Sequence, residues 1–205
     1  MEQQTTEWFN ARLGKVTASR IGDLMAKTKT GYAATRANYM AQLIVERMTN
    51  RQTESYSNAA MQWGTETEPL ARAAYEMANN VMVDEVGFIE HPTIALAGAS
   101  PDGLIGEHGL VEIKCPNTST HIDTLLNSTI DQKYLYQMQW QMACTGRQWC
   151  DFVSFDPRMD ESLQLKIIPV KRDDALIKTI ESEVLKFLLE IAEKIKSLNQ
   201  LKAPL

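Results

Sequence analysis

Hydrophobic periodicity places helices toward both ends of the chain and strands in its middle. Tyr39, Met40, Leu43, Ile44 and Met48 recur at helical spacing and predict a helix through about Thr49. Met61 to Asn79 predicts another, with Pro69 tolerated in a first turn. Val81 to Glu90, Ile94 to Ala99 and Gly109 to Cys115 read as three extended segments, punctuated by Pro92, Gly98, Gly103 and Gly106, and predict a twisted meander. Thr118 to Asn127 and Ile130 to Thr145 predict helices, and Trp149 to Phe155 and Leu163 to Val170 return to strand pattern. Ile177, Ile180, Val184, Phe187, Ile191, Ile195 and Leu198 then form one seam on a final helix over 173–198, capped by Asp173-Asp174 and expected to pack on the same chain. Lys27 to Gly31 and residues 51–58 read as loops.

One strand breaks the apolar pattern. Leu110-Val111-Glu112-Ile113-Lys114-Cys115 is apolar enough for burial, yet it carries Glu112 and Lys114 two apart, on one face. Ten residues before Glu112, Ser100-Pro101-Asp102-Gly103-Leu104 places a carboxylate just beyond the preceding strand. Charges in such a strand are costly unless used or paired. Two carboxylates supply hard oxygen ligands to Mg²⁺, which keeps several waters and substrate phosphate oxygens. A lysine beside them can orient or deprotonate the attacking water, or neutralise charge at phosphorus. The set suits metal-dependent phosphodiester hydrolysis; a surface salt-bridge cluster is the competing reading.

Other candidates are weaker. Thr17 or Ser19 can cap a short helix ending near Ala26, and such an N-terminus close to Arg12 suits an anion, although an ordinary cap is an equally good reading. Gln137 and Gln141 fall one helical turn apart, a pair that reads as solvated. His91, His108 and His121 lie in three separate segments.

Composition narrows the class. With 205 residues, 44% hydrophobic and 23% charged, the chain reads as a single globular domain over 1–205. No run approaches the ~18 apolar residues of a membrane span, and Met1-Glu2-Gln3-Gln4 is unlike a signal peptide, so a cytoplasmic location and no membrane partner are expected. Cysteines at 115, 144 and 150 form no Cys-x-x-Cys pair and read as buried thiols, neither a disulfide framework nor a zinc site. The net charge of −5 hides a basic block, because residues 11–51 hold eight Lys and Arg against Asp23 and Glu46. Such a block is compatible with phosphate contacts from one side or with a solvated face.

Several segments in order resemble the phage lambda exonuclease family, the YqaJ-like viral recombinase nucleases of the PD-(D/E)-x-K superfamily. They are Trp8 with Arg12-Leu13-Gly14 and Thr17-Ala18-Ser19, Trp63-Gly64 with Glu68, Ser100 to Leu104, Glu112 to Pro116, Tyr136-Gln137-Met138-Gln139, and Asp156-Pro157-Arg158-Met159. The resemblance implies an α/β, restriction-endonuclease-like core with a mixed central sheet flanked by helices. It implies a processive 5′→3′ exonuclease that degrades one strand of linear double-stranded DNA to mononucleotides and leaves 3′ single-stranded DNA for annealing recombination. Asp102, Glu112 and the Ile113 backbone carbonyl would bind Mg²⁺, one ion or two, with Mn²⁺ as a substitute. Lys114 would position the water, with Glu68 and Gln137 beside the metals. Arg12, Thr17, Ser19 and Ser100 match a pocket for the 5′-terminal phosphate. Met61 matches a strand-separating wedge and Lys29 a basic loop residue on DNA. A homotrimeric ring, a single-strand annealing recombinase as partner and, for a phage-encoded chain, the host cytoplasm are also implied. A related endonuclease and a non-catalytic DNA-end-binding module are the alternatives.

Overall fold

The computed structural model describes residues 2–53 and 59–202. The N-terminal part runs α1 (Thr6–Arg12), β1 (Val16–Thr17), a 3₁₀ turn over 18–20, α2 (Ile21–Met25), a hairpin of β2 (Lys27–Thr28) and β3 (Gly31–Tyr32), α3 (Ala34–Thr49) and α4 (Ala59–Asn79). The middle holds β4 (Ile89–Glu90), β5 (Ala97–Ala99), β6 (Gly103–Ile105) and β7 (Gly109–Lys114). There follow α5 (Thr118–Asn127), α6 (Gln132–Thr145), β8 (Trp149–Phe155), β9 (Leu165–Lys171) and α7 (Asp174–Gln200).

The expected mixed α/β core is present, but the meander is not. β5 pairs with β1 and β4 in one sheet, whereas β6, β7, β8 and β9 form a second, in which β7 and β8 run parallel and the outer pairs antiparallel. The missing piece is β6, three residues that follow directly on Asp102 and fold back on β7. Most of Val81 to Glu90 is irregular, bridging to the second sheet at Asp84–Leu104 and packing Val83 against it before β4 begins. The stretch from Lys27 to Gly31, expected as a loop, opens a small hairpin instead. Of the loop expected at 51–58, residues 54–58 lie outside the described residues.

Two helices sandwich the second sheet. Ala71 and Tyr75 of α4 pack on Val111, Ile113, Val153 and Phe155. On the opposite face Met138, Met142 and Ala143 of α6 pack on Leu110, Cys150 and Phe152. The far side of α6, through Trp140 and Cys144, joins a larger cluster with α2, α3 and α7. α6 is therefore buried nearly all round, the condition of a helix in the centre of a core.

Pro69 lies in the interior of α4, not in a first turn. It leaves the Thr65 carbonyl without its helical donor, and exposed Thr65 lets water take that place. At the other end of the chain, Asp173 caps α7 by accepting from the Ala175 and Leu176 amides, and the seam from Ile177 to Ile191 is buried on the body of the chain. Each such apolar side chain contributes roughly 1.5–3 kcal/mol. Leu198 departs from the expected seam and is exposed.

Candidate active site

The register of one hairpin builds the site. Gly103 pairs with Val111, which places Asp102 opposite Glu112, one step beyond the last rung. The Ile113 amide donates to Asp102 Oδ2 at 2.7 Å and locks that step. Only glycine fits at 103, because a Cβ there would stand 2.0 Å from Val83 Cγ1. Glu112 and Lys114 share the face turned to α6, and the Lys114 ammonium contacts Glu112 Oε1.

Glu112 is completely buried. Gln137 Nε2 donates to its Oε1 and Gln141 Nε2 to its Oε2, each at 2.6 Å. The pair that reads as solvated in sequence is therefore a clamp on the central carboxylate. The sequence names Gln141 only as half of a solvated pair and gives it no role in the site. The available signal was the apolar company of Met138, Trp140, Met142 and Cys144 around α6, which leaves no solvated face.

Glu68 comes from α4 and forms an ion pair with Arg72 at 2.7 Å; Arg72 also reaches Glu85 at 2.5 Å. Burial first, then the charge of Glu112, pushes the Asp102 carboxyl well above the usual carboxylate range, with Glu68 adding to the effect. Burial likewise raises Glu68, against Arg72 and Lys114. Burial opposes the charge of Lys114, but Glu112 and Asp102 outweigh it and raise its pKa, so the ammonium stays protonated. Three carboxylates and one lysine thus sense one another around one point.

A second cluster forms beside it. Trp8 Nε1 and Arg12 Nη1 both donate to Ser100 Oγ at 2.9 Å, and the Arg12 guanidinium lies 4.1 Å from the Trp8 ring centre. Both lone pairs of the Ser100 hydroxyl are used, so its proton is free to donate. Burial lowers the Arg12 pKa to about 10, and among the described residues no carboxylate pairs with it. A half-buried cation without a carboxylate partner among the described residues, beside such a hydroxyl, has the chemistry to receive an anion. Thr17 is buried and pairs with Gly98, two residues before Ser100, while Ser19 is exposed in the 3₁₀ turn. Neither side chain makes the expected cap.

Met61 is exposed on α4, two turns before Glu68. Lys29 stands at the exposed tip of the β2–β3 hairpin, which docks on α7 through Lys27 and Tyr32 to Glu183, and it does not join the cluster. Much of the basic block is consumed internally, with Arg20 on Asp23, Arg36 on Glu190 and Arg47 on the Gly14 carbonyl. His121 is a core residue bonded to Ser154 Oγ and the Leu163 carbonyl. His91 accepts from the Thr93 and Ile94 amides. Cys144 and Cys150 are buried free thiols and Cys115 is half-buried.

Residues 7–148, most of the chain and both polar clusters of the site, match the YqaJ-like viral recombinase domain. The chain belongs to that family. Its structure superposes on an alkaline exonuclease from Laribacter hongkongensis, LHK-Exo, with a TM-score of 0.90 and 56% identity over 96% of this chain and 97% of that one. A second structure of LHK-Exo, at 57% identity and the same coverage, holds dAMP. A phage-related exonuclease from Haemophilus somnus shares the fold, with a TM-score of 0.74 at 15% identity over 90% of this chain and 96% of that one. An uncharacterized protein of Acanthamoeba polyphaga mimivirus is 25% identical over 168 residues, 74% of this chain. The chain spans 29% of the length of that curated relative. No helix among the described residues is long and apolar enough to cross a membrane.

Proposed function

We propose that this chain is a metal-dependent exonuclease that degrades one strand of linear double-stranded DNA from its 5′ end and releases mononucleotides. The observation that carries the reading is the placement of Asp102 opposite Glu112, with Lys114 on the same face, in a fold shared at 56% identity with an alkaline exonuclease. Binding of dAMP by LHK-Exo supports a nucleoside monophosphate as the product.

The donor set fits Mg²⁺. Among the described residues no three His, Cys, Asp or Glu side chains stand close enough to hold an ion alone. Two carboxylates with the Ile113 carbonyl leave the remaining positions for water and phosphate, as this ion prefers. Burial first, and then the charge of Glu112, disfavours the ionised form of Asp102, and a bound cation would offset both. A bound Mg²⁺ would supply Lewis acidity toward the scissile phosphate and its attacking water. Asp102, Glu112 and the Ile113 carbonyl would hold it, with Mn²⁺ as a substitute.

Lys114, paired with Glu112, orients the water and balances charge at phosphorus. Arg12 and the free Ser100 proton grip the 5′-phosphate, with Thr17 and Ser19 flanking. That grip sets the cut one nucleotide from the end and regenerates the same group. Met61 stands on the face of α4 that carries Glu68, where an apolar side chain can separate a terminal base pair at a cost of a few kcal/mol. Lys29 serves as an outlying phosphate contact. Enclosure of the duplex by a homotrimer would make degradation processive, and an annealing recombinase would take the exposed 3′ strand. End-labelled duplex tests the reading, since a 5′ label released first as mononucleotide supports it and internal fragments point to an endonuclease.

A further inference from the structure

Gln141 has no exposed surface, yet it is an amide on a helix whose neighbouring Met138 and Met142 pack on Leu110 and Cys150. Its Oε1 is buried with no hydrogen-bond partner. An orphaned buried acceptor costs about 1–3 kcal/mol, so a side chain retained there for stability alone would be apolar. What the amide does make is one 2.6 Å bond from Nε2 to Glu112 Oε2.

An ionised carboxylate only accepts and offers about four lone-pair directions. On Oε1 of Glu112 the Gln137 amide and the Lys114 ammonium take both. On Oε2 the Gln141 amide takes one, which leaves a single free direction on the whole carboxylate. We propose that Gln141 is a positioning residue that fixes Glu112 so that its Oε2 is the oxygen presented to the catalytic metal. The assignment rests on the metal-dependent reading above. It gives the two glutamines different tasks. Gln137 steadies the oxygen already shared with Lys114, and Gln141 alone orients the oxygen that is free to ligate.

Partners that orient a metal ligand typically contribute 10–100-fold in metal affinity. The test is titration of the 205-residue chain with Mn²⁺ alone, followed by the paramagnetic resonance of the free ion, with thermal melting of each variant alongside. Gln141→Met should bind Mn²⁺ about 10–100-fold more weakly than the parent, and Gln137→Met should lose less. Gln141→Asn, one methylene too short to reach Oε2, should behave like Gln141→Met and serves if the methionine chain does not fold. Unchanged Mn²⁺ affinity in a folded Gln141 variant, or a larger loss at Gln137, overturns the assignment. If the parent binds no Mn²⁺ that Asp102→Asn removes, the metal-dependent reading itself falls, a result distinct from a tight parent with an indifferent Gln141.

Discussion

Asp102 and Ile113 are joined by one hydrogen bond, in which the Ile113 amide donates to Asp102 Oδ2 at 2.7 Å, and that bond holds a carboxylate opposite Glu112 at the open end of the β6–β7 hairpin. One oxygen of Asp102 is thereby used for structure, and the other is left for chemistry. Asp102→Asn keeps an acceptor for the Ile113 amide but lacks the charge. It should fold with a melting temperature close to the parent's and lose at least about 100-fold in DNA cleavage. Loss of folding together with activity would assign Asp102 to structure.

Under the proposed function, Arg12 and Ser100, joined by a 2.9 Å hydrogen bond, sense the 5′ end. Arg12→Ala should reduce the advantage of a 5′-phosphorylated over a 5′-hydroxyl duplex, with the hydroxyl end cut nearly as by the parent. Rates on the two ends, measured side by side, decide it, and an equal loss on both counts against the pocket. Ser100→Ala should show the same selectivity at smaller size, since it removes the one free hydroxyl proton.

The site was legible in the sequence where charge interrupted an apolar pattern, and obscure where partners came from elsewhere. Glu112 and Lys114 stood out because Leu110, Val111 and Ile113 mark their strand as buried. β6 did not, since three residues after Pro101-Asp102 carry too little periodicity to separate a new strand from a turn. Without it the hairpin that aligns Asp102 with Glu112 has no signal in the pattern, which then puts β5 in the wrong sheet. The clamp by Gln137 and Gln141 needs the knowledge that α6 is covered by the sheet on one side and by α2, α3 and α7 on the other. The basic block was countable, but its partners Glu183 and Glu190 lie on the last helix, far away in sequence.

Gly103 carries a steric prediction. Gly103→Ala should destabilise the protein by about 1–3 kcal/mol, because its Cβ meets Val83. Val83→Ala removes the offending methyl groups, so the double variant should recover part of that loss in denaturant unfolding. Additive losses would show that the strain at 103 comes from another source.

Asp156 ties the end of β8 to α5 and to the loop that follows. Burial opposes its ionisation, yet bonds from Arg158 and Thr118 lower its pKa to about 2. A carboxyl whose folded pKa lies below its unfolded value of 3.8 contributes stability above pH 3.8 and loses it as pH falls toward 2. Because the Arg158 side chain is half exposed, solvent screens that contribution at neutral pH. Asp156→Asn should therefore be less stable than the parent at pH 6, and the difference should shrink as pH falls through 4 to 2. A pH-independent difference would mean that the ionised carboxylate is not what binds this corner.

The most direct test of the central claim is degradation of a 5′-labelled, 5′-phosphorylated linear duplex by the parent and by Lys114→Ala, each with and without Mg²⁺. The account predicts labelled mononucleotide as the first product from the parent with Mg²⁺, none without the ion, and a loss of about 100-fold or more in Lys114→Ala. Internal fragments, release that ignores Mg²⁺, or an unimpaired Lys114→Ala would contradict it.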